Sequence, residues 1–115
     1  MRMWMAIALM MFAAGGYAGK AEAGYYTADE ILKYCEDERV AAANICTSYI
    51  AGINDITLNY ETWGMMKPDF CIPKGATLGQ LKKVVIKGLN EQPEKLHLSA
   101  SSLINNIFYE AFPCD

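Results

Sequence analysis

The stretch from Cys71 to Cys114 constrains the fold more than any other part of this chain. It opens with a cysteine in a Pro/Gly loop, runs through two amphipathic helical patterns, and closes on a proline and a second cysteine. Leu78, Leu81, Val84, Val85 and Leu89 recur at helical spacing, with Lys82, Lys83 and Lys87 on other faces. Thr77 and Gln80 form a capping box ahead of that run, so two amide donors gain side-chain acceptors. The pattern breaks after Asn90, and Pro93 suits the first turn of a new helix, where its missing N–H costs nothing. Leu96, Ala100, Leu103, Ile104, Ile107 and Phe108 make the second stripe, and Pro113 ends it. The spacing predicts a helical hairpin with a cysteine at each end.

Upstream, Thr27 and Glu30 form another capping box, opening a short helix that carries Ile31, Leu32, Tyr34 and Cys35. Acidic residues in its first turn complement the helix dipole. Glu36, Asp37 and Glu38 punctuate the chain, with Asp37 expected as the N-cap of a longer helix. Ala42, Ile45, Cys46, Tyr49, Ile50, Ile53 and Ile56 give that helix a wide apolar stripe, and its alanine run at 41–43 allows close backbone approach. Gly52 costs about 1 kcal/mol relative to alanine inside a helix, so it is expected to mark tight packing. The reading is all-α: a small disulfide-linked bundle of four main helices.

The N-terminus reads as a secretory leader. Arg2 supplies the positive region, Met3 to Ala14 is almost wholly apolar, and Ala21-Glu22-Ala23 is a cleavage site, with Ala18 the weaker alternative. The apolar run is shorter than the ~20 residues that span a bilayer. No cysteine lies near the cleavage region to carry a lipid. Residues 1–23 are therefore expected to be removed, leaving one exported domain over 24–115. The full chain holds ten basic and thirteen acidic residues; cleavage removes Arg2, Lys20 and Glu22, leaving eight against twelve and a net charge of −4. Such a chain lacks the basic footprint of a nucleic-acid binder and would be repelled by anionic membranes.

The roughly 92 mature residues bury only about 60–65% of their unfolded surface, so crosslinks matter. Export permits disulfides among Cys35, Cys46, Cys71 and Cys114, which allow three pairings. A Cys35–Cys46 bridge is the least expected, since a helix through both would hold them ~16 Å apart unless the chain turns near Asp37. Cys35–Cys114 with Cys46–Cys71 is favoured, and Cys35–Cys71 with Cys46–Cys114 competes. A crosslink closing a loop of ~80 residues adds about 4 kcal/mol by restricting the unfolded chain.

Between Tyr60 and Pro73 the helical signal fades. Trp63, Met65, Met66 and Phe70 alternate there with Gly64, Pro68 and Pro73. One reading is a loop folded back over the bundle and tethered by Cys71. The other is a protruding recognition loop in which Glu61, Trp63, Met65, Met66 and Asp69 contact a partner, because an exposed Trp beside flexible methionines makes an interface anchor.

Catalytic patterns are lacking. His97 is the single histidine, the cysteines are committed to disulfides, and no Gly-rich phosphate loop or dinucleotide fingerprint is present. His97 and Ser99, read as helical, lie two apart and do not face each other. Glu36 and Glu38 sit among polar residues with nothing to raise a pKa. Neither enzyme, metal nor cofactor is expected.

The framework resembles the Rap/Tai-type immunity proteins, which protect bacteria against peptidoglycan amidases of type VI secretion systems. The matching positions are Cys71, Pro73, Gly75, Thr77, Gln80, Leu81, Val84, Val85, Leu89, Pro93, His97, Phe112, Pro113 and Cys114. Upstream, Cys35, Cys46 and the run from Tyr49 to Ile53 match too, so the similarity covers roughly the whole mature chain. Gln92 departs from the pattern, standing where the family has the histidine of a His-Pro pair. The resemblance implies a periplasmic protein, commonly dimeric, that blocks an amidase's active-site groove with a protruding segment. A different class fits the same acidity, size and helicity: an acid-activated periplasmic holdase chaperone, which would lose structure as its carboxylates protonate. A helical carrier of lipids or small ligands ranks below both.

Overall fold

A computed structural model describes residues 24–115, and the expected leader with its cleavage site lies outside them. Four α-helices are present among the described residues: α1 (Ala28–Glu36), α2 (Val40–Thr62), α3 (Leu78–Asn90) and α4 (Ala100–Ala111), with a 3-10 turn at Pro93–Lys95. They pack around Ile31, Cys46, Ile50, Val85, Leu89, Ile104 and Phe108, all essentially inaccessible to solvent. Both capping boxes form as the sequence predicts. Thr27 and Glu30 exchange hydrogen bonds at the start of α1, and Thr77 and Gln80 do so at the start of α3.

The N-terminus of α1 is finished by the far end of the chain. The Ala28 and Asp29 amides donate to the carbonyls of Leu98 and Leu96, both at 2.8 Å, and the Ala100 amide donates to Tyr26 at 3.0 Å. Thr27 and Ser99 thereby form an isolated antiparallel bridge. These bonds satisfy amides that a helix start otherwise leaves without partners. They also explain why α4 begins later than Pro93: the chain turns at 96–98 and reaches the bridge at Ser99, presenting its carbonyls to α1. Leu96 and His97 thus precede α4, while Ala100, Leu103, Ile104, Ile107 and Phe108 form its buried stripe.

The cysteine pairing corrects the favoured expectation. The bridges are Cys35–Cys46 and Cys71–Cys114, with Cα atoms 5.0 and 5.1 Å apart. The first exists because the chain does turn near Asp37. That residue ends α1 and the N-cap of α2 falls at Arg39, so Cys35 and Cys46 lie on two helices rather than one. The Asp37 carboxylate accepts from the Arg39 amide at 2.9 Å and from its Nε at 3.0 Å, which holds the carboxyl at a pKa of about 2. Asp37 thus pins the reversal instead of capping α2 by its own position.

The close approach expected at Gly52 falls at Gly88 instead. Gly52 is exposed, with nothing within 4 Å of where a Cβ would sit, so it marks no tight packing. Gly88 does: a Cβ there would meet the Ile107 side chain at 2.6–2.8 Å. The absent side chain at Gly88 is what lets α3 and α4 approach closely.

Candidate functional site

The end of α2 carries the candidate surface. This helix has 23 residues, about 34 Å of rise, against 13 and 12 in α3 and α4. Thr57 is its last buried residue. Beyond it Leu58, Tyr60, Trp63 and Met65 are exposed, Trp63 by 64% and Met65 by 67%.

The helix terminates in a Schellman motif. Gly64 takes the left-handed conformation with φ +70°, its amide donates to Glu61 at 3.0 Å, and the Met65 amide donates to Tyr60 at 2.9 Å. This termination fixes the backbone on both sides of Gly64, and so fixes where Trp63 and Met65 project. The Trp63 ring rests edge-on against Tyr60, with centroids 6.3 Å apart. The far end of the segment turns inward. Phe70 is buried and meets Phe108 edge-on at 5.3 Å, and Cys71 is tied to Cys114. The Cys71 amide also donates to Phe112 at 2.8 Å.

The structure divides this stretch between inward and outward side chains. Phe70 folds back over the bundle, whereas Trp63 and Met65 face solvent. Asp69 is exposed, and Glu61 and Met66 are half-buried. Glu61 lines a groove of about 630 Å³ between α2 and the segment leading into α3, with Leu58, Phe70, Ile72, Lys74 and Leu78 among its walls.

A second apolar surface runs up α2. At 100° per residue, Ile45, Tyr49, Ile56, Tyr60 and Trp63 fall within about 60° of one another. Ile45, Ile56 and Tyr60 are exposed and Tyr49 is half-buried. Gly52 sits at the margin of this flank with open space above it. The sequence stripe included Ile45 and Ile56 as core; their exposure shows that the stripe is wider than the bundle can cover. That excess width was the signal available in the sequence.

Elsewhere the chemistry is sparse. His97 is exposed in the turn before α4, and the Ser99 and Ser101 hydroxyls pair with each other at 3.0 Å. Among the described residues no group of three or more His, Cys, Asp or Glu is placed to hold a metal ion. The ion pairs are local and exposed, as with Lys33 and Asp29 at 2.8 Å, where the carboxylate raises the lysine's pKa.

Residues 27–114 match the family model described as Rap1a immunity proteins, which covers the bundle, both disulfides and the segment after α2. Comparison with curated proteins and with solved structures found no match.

Proposed function

We propose a function from one premise: this chain belongs to the Rap1a immunity protein family. An immunity protein binds a cognate effector. We infer that the effector here is a peptidoglycan amidase delivered by a type VI secretion system, met in the periplasm after the N-terminal leader has been removed. Inhibition is by occlusion: the segment from Glu61 to Asp69 enters the amidase's active-site groove. Trp63 and Met65 are the apolar anchors, Met66 adapts between them and the bundle, and Glu61 and Asp69 supply polar rim contacts.

The observation that supports this reading is the pairing of exposure with restraint at Trp63 and Met65. Both side chains face solvent, yet a Schellman cap fixes the backbone between them and a disulfide holds the far end of the segment. A surface ordered before binding loses less conformational entropy on association. The α2 flank of Ile45, Tyr49 and Ile56, with Gly52 beside it, suits a homodimer contact, which leaves the Trp63 end free for the effector.

The test is calorimetric titration of the oxidised protein into the amidase encoded beside it, with a muropeptide-cleavage assay in parallel. Tight one-to-one binding with loss of cleavage is expected. Trp63→Ala should weaken binding by about 30-fold or more, the effect of losing an anchor worth about 2 kcal/mol. Absence of binding to an active amidase by the folded protein would reject the reading. Light scattering should give twice the monomer mass; a monomer at micromolar concentration would remove the dimer from it.

A further inference from the structure

The two disulfides differ in what can reach them. Cys35 and Cys46 are 3% and 0% exposed, enclosed between α1 and α2. Cys71 and Cys114 are both exposed. Thiol–disulfide exchange requires a thiolate to reach a sulfur, so access separates the two bridges kinetically.

We propose that Cys71–Cys114 is a redox-addressable latch on the segment following α2, opened by a dithiol while Cys35–Cys46 stays closed. In the opening step one thiolate of the dithiol attacks an exposed sulfur, breaking the Cys71–Cys114 bond and forming a mixed disulfide. The second thiol of the reductant then displaces the protein's sulfur. Two electrons and two protons pass to the protein, leaving Cys71 and Cys114 as thiols and the reductant as its own disulfide.

What the latch holds follows from its neighbours. Helix α4 ends at Ala111, and beyond it the chain is kept in place by the Cys71 to Phe112 hydrogen bond at 2.8 Å and by Phe112 against Phe108, centroids 6.0 Å apart. On the other strand of the bridge, Phe70 anchors the segment only one residue before Cys71. Opening the bond leaves the Schellman end at Met65 intact and leaves the far end held only by the Cys71 to Phe112 hydrogen bond and by the Phe70 and Phe112 contacts with Phe108. With no covalent tie behind them, those contacts open more often, and the segment and the residues after α4 fray together. Only the consequence for effector binding rests on the function proposed above: the contact surface is preformed in the oxidised protein and loosened in the reduced one.

The experiment needs no effector, so its failure and the failure of the proposed function are separable. The oxidised protein is treated with dithiothreitol for graded times, quenched with N-ethylmaleimide and mapped by mass spectrometry. Cys71 and Cys114 should be alkylated at least tenfold faster than Cys35 and Cys46; equal or reversed rates would overturn the proposal. Hydrogen exchange on the selectively alkylated species is the second readout. Residues 66–72 and 110–115 should exchange at least tenfold faster, with α1 and α2 unchanged. Unaltered exchange in those segments, or a rise throughout the molecule, would show that the bond is no local latch.

Discussion

Replacing Gly88 by alanine should destabilise the protein, whereas the same change at Gly52 should stabilise it. In an exposed helix interior the substitution removes backbone freedom from the unfolded chain and contributes about 0.5–1 kcal/mol. Gly52 meets that description, with open space around the added methyl. At Gly88 the methyl would lie 2.6 Å from Cγ1, 2.7 Å from Cδ1 and 2.8 Å from Cγ2 of Ile107. Two of those carbons are attached directly to Cβ, so turning the tip of the side chain does not clear the clash. A β-branched residue in a helix has one strongly favoured χ1 rotamer, and Ile107 is inside α4. The helices must therefore move apart, at the 1–3 kcal/mol typical of overpacking, which exceeds the propensity gain by about 1–2 kcal/mol. Urea unfolding of the oxidised proteins, followed by far-ultraviolet circular dichroism, reads both values directly. For a domain of this size 1 kcal/mol corresponds to about 4–8 °C in Tm, so the two variants should move apart by roughly 10 °C. A double variant, Gly88→Ala with Ile107→Ala, should cost at least about 1 kcal/mol less than the sum of the single changes. If Gly88→Ala stabilises as Gly52→Ala does, the close approach of α3 and α4 is refuted.

Ile104, fully buried on α4, should cost about 2–5 kcal/mol when cut to alanine, and a change within ±0.5 kcal/mol would place its stripe on the wrong face. Gly64→Ala puts a side chain at φ +70°, so it should lose about 1–2 kcal/mol and shift the Trp63 fluorescence; an unchanged spectrum would mean the Schellman cap does not position Trp63. The Asp37 carboxyl, held at about 2 by Arg39, lies below the ordinary value near 3.9, so its contribution to the α1–α2 reversal is present above about pH 4 and is lost as pH falls through 2. Carbon-detected titration of Asp37 should show that midpoint, and a midpoint near 4 would mean that Arg39 does not hold it.

Much of the bundle is legible locally. The Thr-x-x-Glu and Thr-x-x-Gln boxes need only their own turn, and the stripes of α3 and α4 follow from spacing alone. Gly88 was legible in the same way: it falls on the face of Leu81, Val85 and Leu89, while Gly52 falls off the face of Cys46 and Ile50. The cysteine pairing was hidden because three residues, Asp37 to Arg39, decide whether Cys35 and Cys46 share a helix. Their charges read as punctuation and carry no angle. The late start of α4 was hidden too, since the turn at 96–98 is held by hydrogen bonds from α1, an element far away in sequence. At the candidate site, composition marked the segment from Glu61 to Asp69. It could not sort inward Phe70 from outward Trp63, because both are large aromatics and their directions depend on Gly64 and on the tie at Cys71.

The Thr27–Ser99 bridge also sets an order of events for a chain made from its N-terminus. The first helix obtains the carbonyls of Leu96 and Leu98 only after the chain through Ser99 has emerged. Until then α1 has the Thr27 box and its neighbour α2, and a helix of nine residues is marginal in water without tertiary support. The long sequence separation of that closure makes the folding of α1 wait on residues 96–99. A nascent chain that stops short of residue 99 therefore lacks the closure that holds α1, and the bundle assembles only once the segment ahead of α4 arrives.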